Sequence, residues 1–64
     1  METLYFLYMK SESMKRFQPV MWHEGVPTNR LIFASMFIES DAQKALHEAK
    51  TLNPLIEFKL VKVK

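Results

Sequence analysis

Four clusters of apolar residues have a regular spacing, and each spacing predicts one element of structure. Thr3–Met9, Arg30–Ile38 and Leu55–Val63 are short runs of aliphatic and aromatic residues, which are typical of β-strands. In Ser40–Pro54 the apolar residues instead recur at intervals of three and four, the spacing of one buried helical face. The residues expected on that face are Ala42, Ala45, Leu46, Ala49 and Leu52.

Both ends of the predicted helix carry local signals. Ser40 is expected to cap the first turn with its hydroxyl, and Gln43 stands where the reciprocal residue of a capping box belongs. Asn53-Pro54 is expected to end the helix, because proline has no N–H to donate and pushes the preceding residue out of helical geometry.

The predicted strands differ in how many apolar faces they have. Thr3–Met9 and Arg30–Ile38 are apolar on both faces, whereas Leu55–Val63 begins with strict alternation and changes phase at Val61. A bulge near Leu60-Val61 would turn Val61 and Val63 towards the helix, and without a bulge they face away from it.

The order of elements is β-β-α-β, which predicts a small α+β domain spanning residues 1–64. We expect a three-stranded, mainly antiparallel sheet with the helix packed on one face. The near-continuous apolarity of Thr3–Met9 favours the central position for the first strand, and hence the strand order 3-1-2.

One helix covers only one face of such a sheet, so the second apolar face needs a cover. The segment Phe17–Trp22 is apolar but interrupted by Pro19, which favours an edge segment or an ordered loop. Trp22 is expected either to close the second face as a lid or to protrude as the hot spot of an interface. The residues expected to bind a partner are Arg16, Phe17, Met21, Trp22 and His23.

Composition narrows the classes of function. The 64 residues include no cysteine and two histidines, which excludes a disulfide framework and a cysteine-type zinc site. His23-Glu24 reads as a solvated turn, and His47 falls on the polar side of the helix. We therefore expect no catalytic residue, no metal site and no cofactor. The absence of a signal-peptide pattern or a long apolar run favours a cytoplasmic protein away from membranes.

A basic strip is the alternative functional signal. Lys59, Lys62 and Lys64 could contact phosphates while Tyr5, Tyr8 and Trp22 stack on bases. Glutamates are interspersed with these charges, the net charge is only +2, and lysines commonly protect sheet edges. Nucleic-acid binding is therefore the second hypothesis.

The segment Leu31–Val63 resembles a class of phage-encoded miniproteins. The resemblance lies in its aromatic and aliphatic strand, the helix start Glu39–Leu46 and the closing run Ile56–Val63. These features are similar to the β-β-α-β inhibitors of host RNA polymerase made by small tailed phages. The resemblance carries over no individual binding residue. It implies a non-enzymatic protein that docks on a larger host protein and regulates it.

The first hypothesis is therefore a protein-binding module whose partner is a larger host protein. A homodimer is expected as well, since a second copy could cover the free sheet face.

Overall fold

The computed structural model describes residues 3–63, which form an antiparallel sheet of five strands and one α-helix. This confirms a small α+β domain with a single helix. The strands are β1 (Leu4–Lys10), β2 (Gln18–Met21), β3 (Val26–Pro27), β4 (Met36–Ile38) and β5 (Glu57–Lys62), and the helix is α1 (Glu39–Leu52). A short 3₁₀ turn, Leu31–Phe33, precedes β4.

Strand β1 is the centre of the sheet, and all of its partners run antiparallel to it. β5 pairs with β1 along Tyr5–Lys10. Tyr5 is also paired with Phe37 of β4, and Tyr8 is also paired with Pro19 of β2. Because a strand has two edges, β2 and β4 must share the edge opposite β5. β2 occupies one half of that edge and β4 the other.

The prediction of three strands in the order 3-1-2 is wrong in its strand count, although the first predicted strand does lie between the other two. Arg30–Ile38 was expected to be one strand, but only Met36–Ile38 reaches the edge of β1. β2 already fills the rest of that edge, and the Ser35 N–H donates to the carbonyl oxygen of Val20 at 3.1 Å where the two segments meet. The preceding residues turn away as the 3₁₀ turn.

The segment Phe17–Trp22 is neither a loop nor a lid over the second sheet face, because most of it is β2 within the sheet. Pro19 is tolerated there for a geometric reason. Its carbonyl accepts from the Thr28 N–H at 2.8 Å, on the side of β3. In an antiparallel strand the N–H and C=O of a residue point to the same side. The N–H that Pro19 lacks would also point towards β3. The sheet therefore loses a hydrogen bond to the short β3 and none to β1.

The helix starts two residues earlier than expected, with Ile38 and not Ser40 as its N-cap residue, so the Ser40 capping prediction is wrong. β4 continues directly into α1, and Ile38 is the N-cap residue with extended backbone and no side-chain cap hydrogen bond. Ser40 lies inside the first turn, so Gln43 completes no capping box. Glu39 and Asp41 in that turn favour the positive end of the helix dipole. The predicted end is confirmed, since the Asn53 N–H closes the last turn on Ala49.

The core lies between α1 and the sheet and is small. Ala42, Ala45 and Ala49 are its buried helical residues, which lets the helix approach the sheet closely. Leu7 of β1 is fully buried, and Met9, Val20 and Ala49 join it in one cluster. Leu52 was expected on this buried face, but 69% of it is exposed, because α1 ends there beyond the part of the helix that covers the sheet.

Strand β5 pairs with β1 without interruption from Glu57 to Lys62, so there is no bulge in it. Val61 therefore faces away from the helix, as expected for a bulge-free strand. Within residues 3–63, no helix has the length and apolarity to cross a membrane.

Candidate interaction site

The five residues predicted to bind a partner lie on two different sides of the sheet. Val20 belongs to the core cluster on the helix side, so strand alternation places Met21 on the other side. Arg16 and Phe17 line a shallow depression on that same side, together with Tyr8 and Leu31.

Trp22 lies on the helix side, where its position is fixed by two contacts. Its backbone N–H donates to the Ser35 Oγ at 2.9 Å. Its ring meets the ring of Phe37 edge-on, with centroids 5.8 Å apart and an interplanar angle of 89°. Trp22 is half-buried and packs against the core cluster. It is therefore neither a lid over the second face nor a side chain that protrudes freely.

Trp22 forms one wall of an apolar groove between the end of α1 and the β2–β3 turn. The groove has a volume of about 370 Å³. We call it the Trp22 groove, and its lining residues are Met9, Val20, Trp22, Gly25, Glu48, Ala49, Leu52, Asn53, Ile56 and Phe58. Its floor belongs to the core, and Leu52 stands exposed on the opposite wall. This is the geometry of a pocket that receives an apolar side chain.

Gly25 shapes the wall of the Trp22 groove formed by the β2–β3 turn. The turn spans residues 22–25, and the Gly25 N–H donates to the Met21 carbonyl oxygen at 2.8 Å. Gly25 has a φ of +68°, in the left-handed region that glycine adopts without steric cost. His23 and Glu24 are exposed in the same turn. His23 does not line the groove.

Glu48 is the one charged side chain among the residues that line the Trp22 groove. The groove is thus an apolar slot with a negative rim, and it favours an apolar side chain with a basic neighbour.

A second ionisable contact lies at the other end of the helix. The Tyr5 hydroxyl donates to the Glu39 Oε1 at 3.4 Å. The pKa of Tyr5 is raised above 10.0, first by partial desolvation and then by the charge and hydrogen bond of the Glu39 carboxylate.

The sheet face opposite α1 is a second apolar surface, which we call the open face. Alternation along β1 and the register of its neighbours place mostly apolar side chains on it, with the charged Lys10, Glu57 and Lys59 towards one end. Its apolar residues along β1, β4 and β5 are Leu4, Phe6, Tyr8, Met36, Ile38, Val61 and Val63. The rings of Phe6 and Tyr8 meet edge-on at 6.4 Å, and Met36 is 55% exposed. The prediction that the first strand is apolar on both faces is thus confirmed.

The 3₁₀ turn borders the open face. Leu31 lies beside Tyr8 in the shallow depression, and Ile32 is 83% exposed. Three large apolar residues in succession are therefore accessible next to a sheet face that is itself apolar.

The lysines predicted to bind nucleic acid do not form one strip. Lys59 pairs with Tyr8 and Lys62 pairs with Tyr5, so alternation puts the two lysines on opposite faces of the sheet. Lys59 also lies over the ring of Phe17, with its Nζ 4.3 Å from the centroid. Lys64 lies outside the described residues. The aromatic residues proposed to stack on bases are divided as well, since Trp22 and Tyr5 lie on the helix side and Tyr8 on the open face.

The histidines offer no shared chemistry. His23 is in the β2–β3 turn, and His47 is exposed on α1, where its carbonyl accepts from the Thr51 hydroxyl at 2.9 Å. Among residues 3–63 there is no group of three metal-ligating side chains.

The sequence pattern indicates Trp22 but not the Trp22 groove. The spacing of Leu52 is that of a buried helical position, and Ile56 and Phe58 pack against the core cluster while they also line the groove. One feature of the sequence does indicate that Leu52 is exposed. Leu52 is the last helical residue before Asn53-Pro54, and a side chain at the end of a helix has little of the sheet left to cover.

Comparison of the chain with protein-family models, with curated proteins and with solved structures found no match.

Proposed function

We propose that this protein is a non-enzymatic protein-binding module that receives an apolar side chain of its partner in the Trp22 groove. The observation that carries the proposal is the groove itself, with an immobilised tryptophan on one wall and an exposed leucine on the other. Interface hot spots have this construction, in which an aromatic anchor is surrounded by apolar groups that exclude water.

The chemistry of the lining supports binding over catalysis. Glu48 is its only ionisable side chain, and both histidines lie elsewhere. Acid–base or nucleophilic catalysis needs a second group within hydrogen-bond reach of the reacting atom.

The groove selects the chemistry of the partner. Apolar walls favour an aromatic or branched aliphatic anchor, and Glu48 at the rim favours a lysine or arginine close to that anchor. The resemblance to phage-encoded inhibitors makes a large host enzyme the first class of partner to test.

The experiment uses a displayed library of random peptides, followed by titration of recovered peptides that lack tryptophan. Trp22 is the only tryptophan of the chain, so its fluorescence reports directly on the groove. We expect the recovered peptides to share an apolar anchor with an adjacent basic residue. Their binding should shift the Trp22 emission to the blue, because water leaves the ring.

A matched pair of variants locates the binding site. Leu52 lines the groove, whereas Leu55, which is 94% exposed, does not. Leu52→Lys places a charge on the apolar wall and repels the basic neighbour, so it should weaken binding by at least about tenfold. Leu55→Lys should leave binding unchanged. Equal binding by both variants would contradict the groove as the site.

The nucleic-acid alternative has its own outcome. Retention on an oligonucleotide column that falls steeply with salt, and that Leu52→Lys does not alter, would favour that function instead.

A further inference from the structure

We infer that the open face is covered by the open face of a second copy, so that the protein is a twofold-symmetric dimer. The two sheets would stack face to face, about 10 Å apart, with a helix on each outer side. This association uses the side of the molecule opposite the Trp22 groove, and it stands or falls independently of the proposed function.

The size of the core is the first argument. Within residues 3–63, four of the seven buried hydrophobic residues are alanines, and Leu7 is the only large side chain that is fully buried. A chain of 64 residues without disulfides usually needs either association or an unusually well-packed core. The small core between α1 and the sheet is not an unusually well-packed core, which leaves association.

The exposed area is the second argument. The chain has an accessible surface of 5062 Å². A compact monomer of 7.6 kDa is expected to expose about 4,300 Å². The excess of roughly 700–800 Å² is close to the 800 Å² or so that each partner buries in a standard interface. The flat shape, with extents of 37 × 24 × 18 Å, agrees with a sheet that has a covering layer on one side only.

The third argument is the distribution of charge. The centre of the open face is the row Met36–Phe6–Val61, paired across three strands, and it carries no charge. The charged groups lie towards one end, where the Lys10 Nζ and the Glu57 Oε2 are 4.0 Å apart and the Nζ of Lys59, which pairs with Tyr8, is 4.3 Å from the centroid of the Phe17 ring. Two copies related by a twofold axis near Phe6 therefore bring apolar rows together without opposing like charges.

A second copy is a better cover for the open face than a different protein, because the cover must be permanent. A surface that completes the core must be covered whenever the chain folds. Another copy of the chain is the partner that is always present at that moment.

Light scattering of the purified protein during size exclusion tests the inference. The wild-type protein should have twice the mass of 7.6 kDa at micromolar concentration. Met36→Lys places a charge in the central row and should raise the dissociation constant at least about a hundredfold. Leu52→Lys, the same kind of change at an exposed residue on the helix side, should remain dimeric. A monomeric wild type, or a Met36→Lys variant that dimerises normally, would overturn the inference.

A cysteine variant keeps the test decisive should Met36→Lys prevent folding. The chain has no cysteine, so Val61→Cys introduces a single thiol next to the proposed axis. A short bis-maleimide, which can span two thiols on sheets that are stacked about 10 Å apart, should link two copies of Val61→Cys. Leu52→Cys, at an exposed position on the helix side of the sheet, should remain monomeric on denaturing gels. Equal linking of both variants, or none of Val61→Cys, would contradict face-to-face packing. A different protein found bound to the open face would also contradict face-to-face packing of two copies.

Discussion

Trp22 contributes to the fold and to the Trp22 groove at the same time. Its ring packs on Phe37, and its backbone N–H donates to the Oγ of Ser35 at the junction between β2 and β4. A substitution at Trp22 should therefore change stability before it changes binding.

We expect Trp22→Ala to lower the free energy of unfolding by about 3 kcal/mol, the lower end for truncating a large aromatic side chain, because Trp22 is only half-buried. Urea unfolding followed by far-UV circular dichroism measures this, since the variant has no tryptophan to follow. Trp22→Phe retains an aromatic ring beside Phe37 and should recover most of the loss. Unfolding of Trp22→Ala at the wild-type urea concentration would mean that the packing contributes little.

The contact between Tyr5 and Glu39 gives a prediction about pH. Glu39→Gln should lower the pKa of Tyr5, because the carboxylate charge is removed, while the larger effect of desolvation keeps the pKa above 10.0. Phenolate absorbance in a Tyr8→Phe background isolates the titration of Tyr5. Asp41→Asn changes an acid in the same helical turn and should leave this pKa unaltered.

The sign of the effect on stability follows from the raised pKa. Tyr5 favours its neutral form in the folded state, so its contribution to stability is complete below the unfolded pKa. That contribution is lost as the pH rises through the folded pKa. Wild-type stability should therefore fall above pH 10, and less steeply in Glu39→Gln.

At the scale of elements, the alanine face of α1 sets the distance between helix and sheet. Ala42 is completely buried, and Ala45 and Ala49 extend the same face. We expect Ala42→Leu to lower the free energy of unfolding by about 1–3 kcal/mol, because the larger side chain forces the helix off the sheet. Thermal unfolding measures the loss. Gln43→Leu, on the exposed side of the same turn, should have little effect, and equal losses would show that the close approach is unimportant.

The sequence predicts the elements whose pattern is local. It does not predict the elements that depend on which of two segments pairs with the same edge of a strand. β1, β5 and α1 lie close to their expected ranges, because strand alternation and the helical repeat are properties of the segment itself. Arg30–Ile38 carries an equally strong strand pattern, but β2 already occupies half of the edge it would need. No local signal could show that two segments share one edge of β1.

The candidate interaction surfaces were harder to predict than the fold for a related reason. The sequence indicated that one apolar face would lack a cover, and the open face agrees with this. It could not show that Trp22 would turn to the helix side while Arg16 and Phe17 stayed on the other. Strand alternation along β2 places these residues on different sides of the sheet. Pro19 favours an edge segment or a loop there, so the sequence did not predict that alternation.

At the scale of the whole molecule, the proposed dimer makes stability depend on protein concentration. Unfolding of a dimer releases two chains, so the thermal midpoint should rise with concentration. We expect this dependence in the wild type and in Leu52→Lys, and its loss in Met36→Lys. Calorimetry over a wide concentration range measures it. A midpoint independent of concentration in the wild type would contradict coupled folding and association.

The central position of β1 also has a consequence for the order in which the chain is synthesised. Tyr5 pairs with Lys62, so the strand made first waits for almost the last described residues before its longer edge is paired. A nascent chain that stops before β5 exposes an apolar strand with an unpaired edge, which is a template for aggregation. Folding of this domain must therefore follow the synthesis of residue 62, and premature truncation should yield insoluble protein in place of a smaller folded domain.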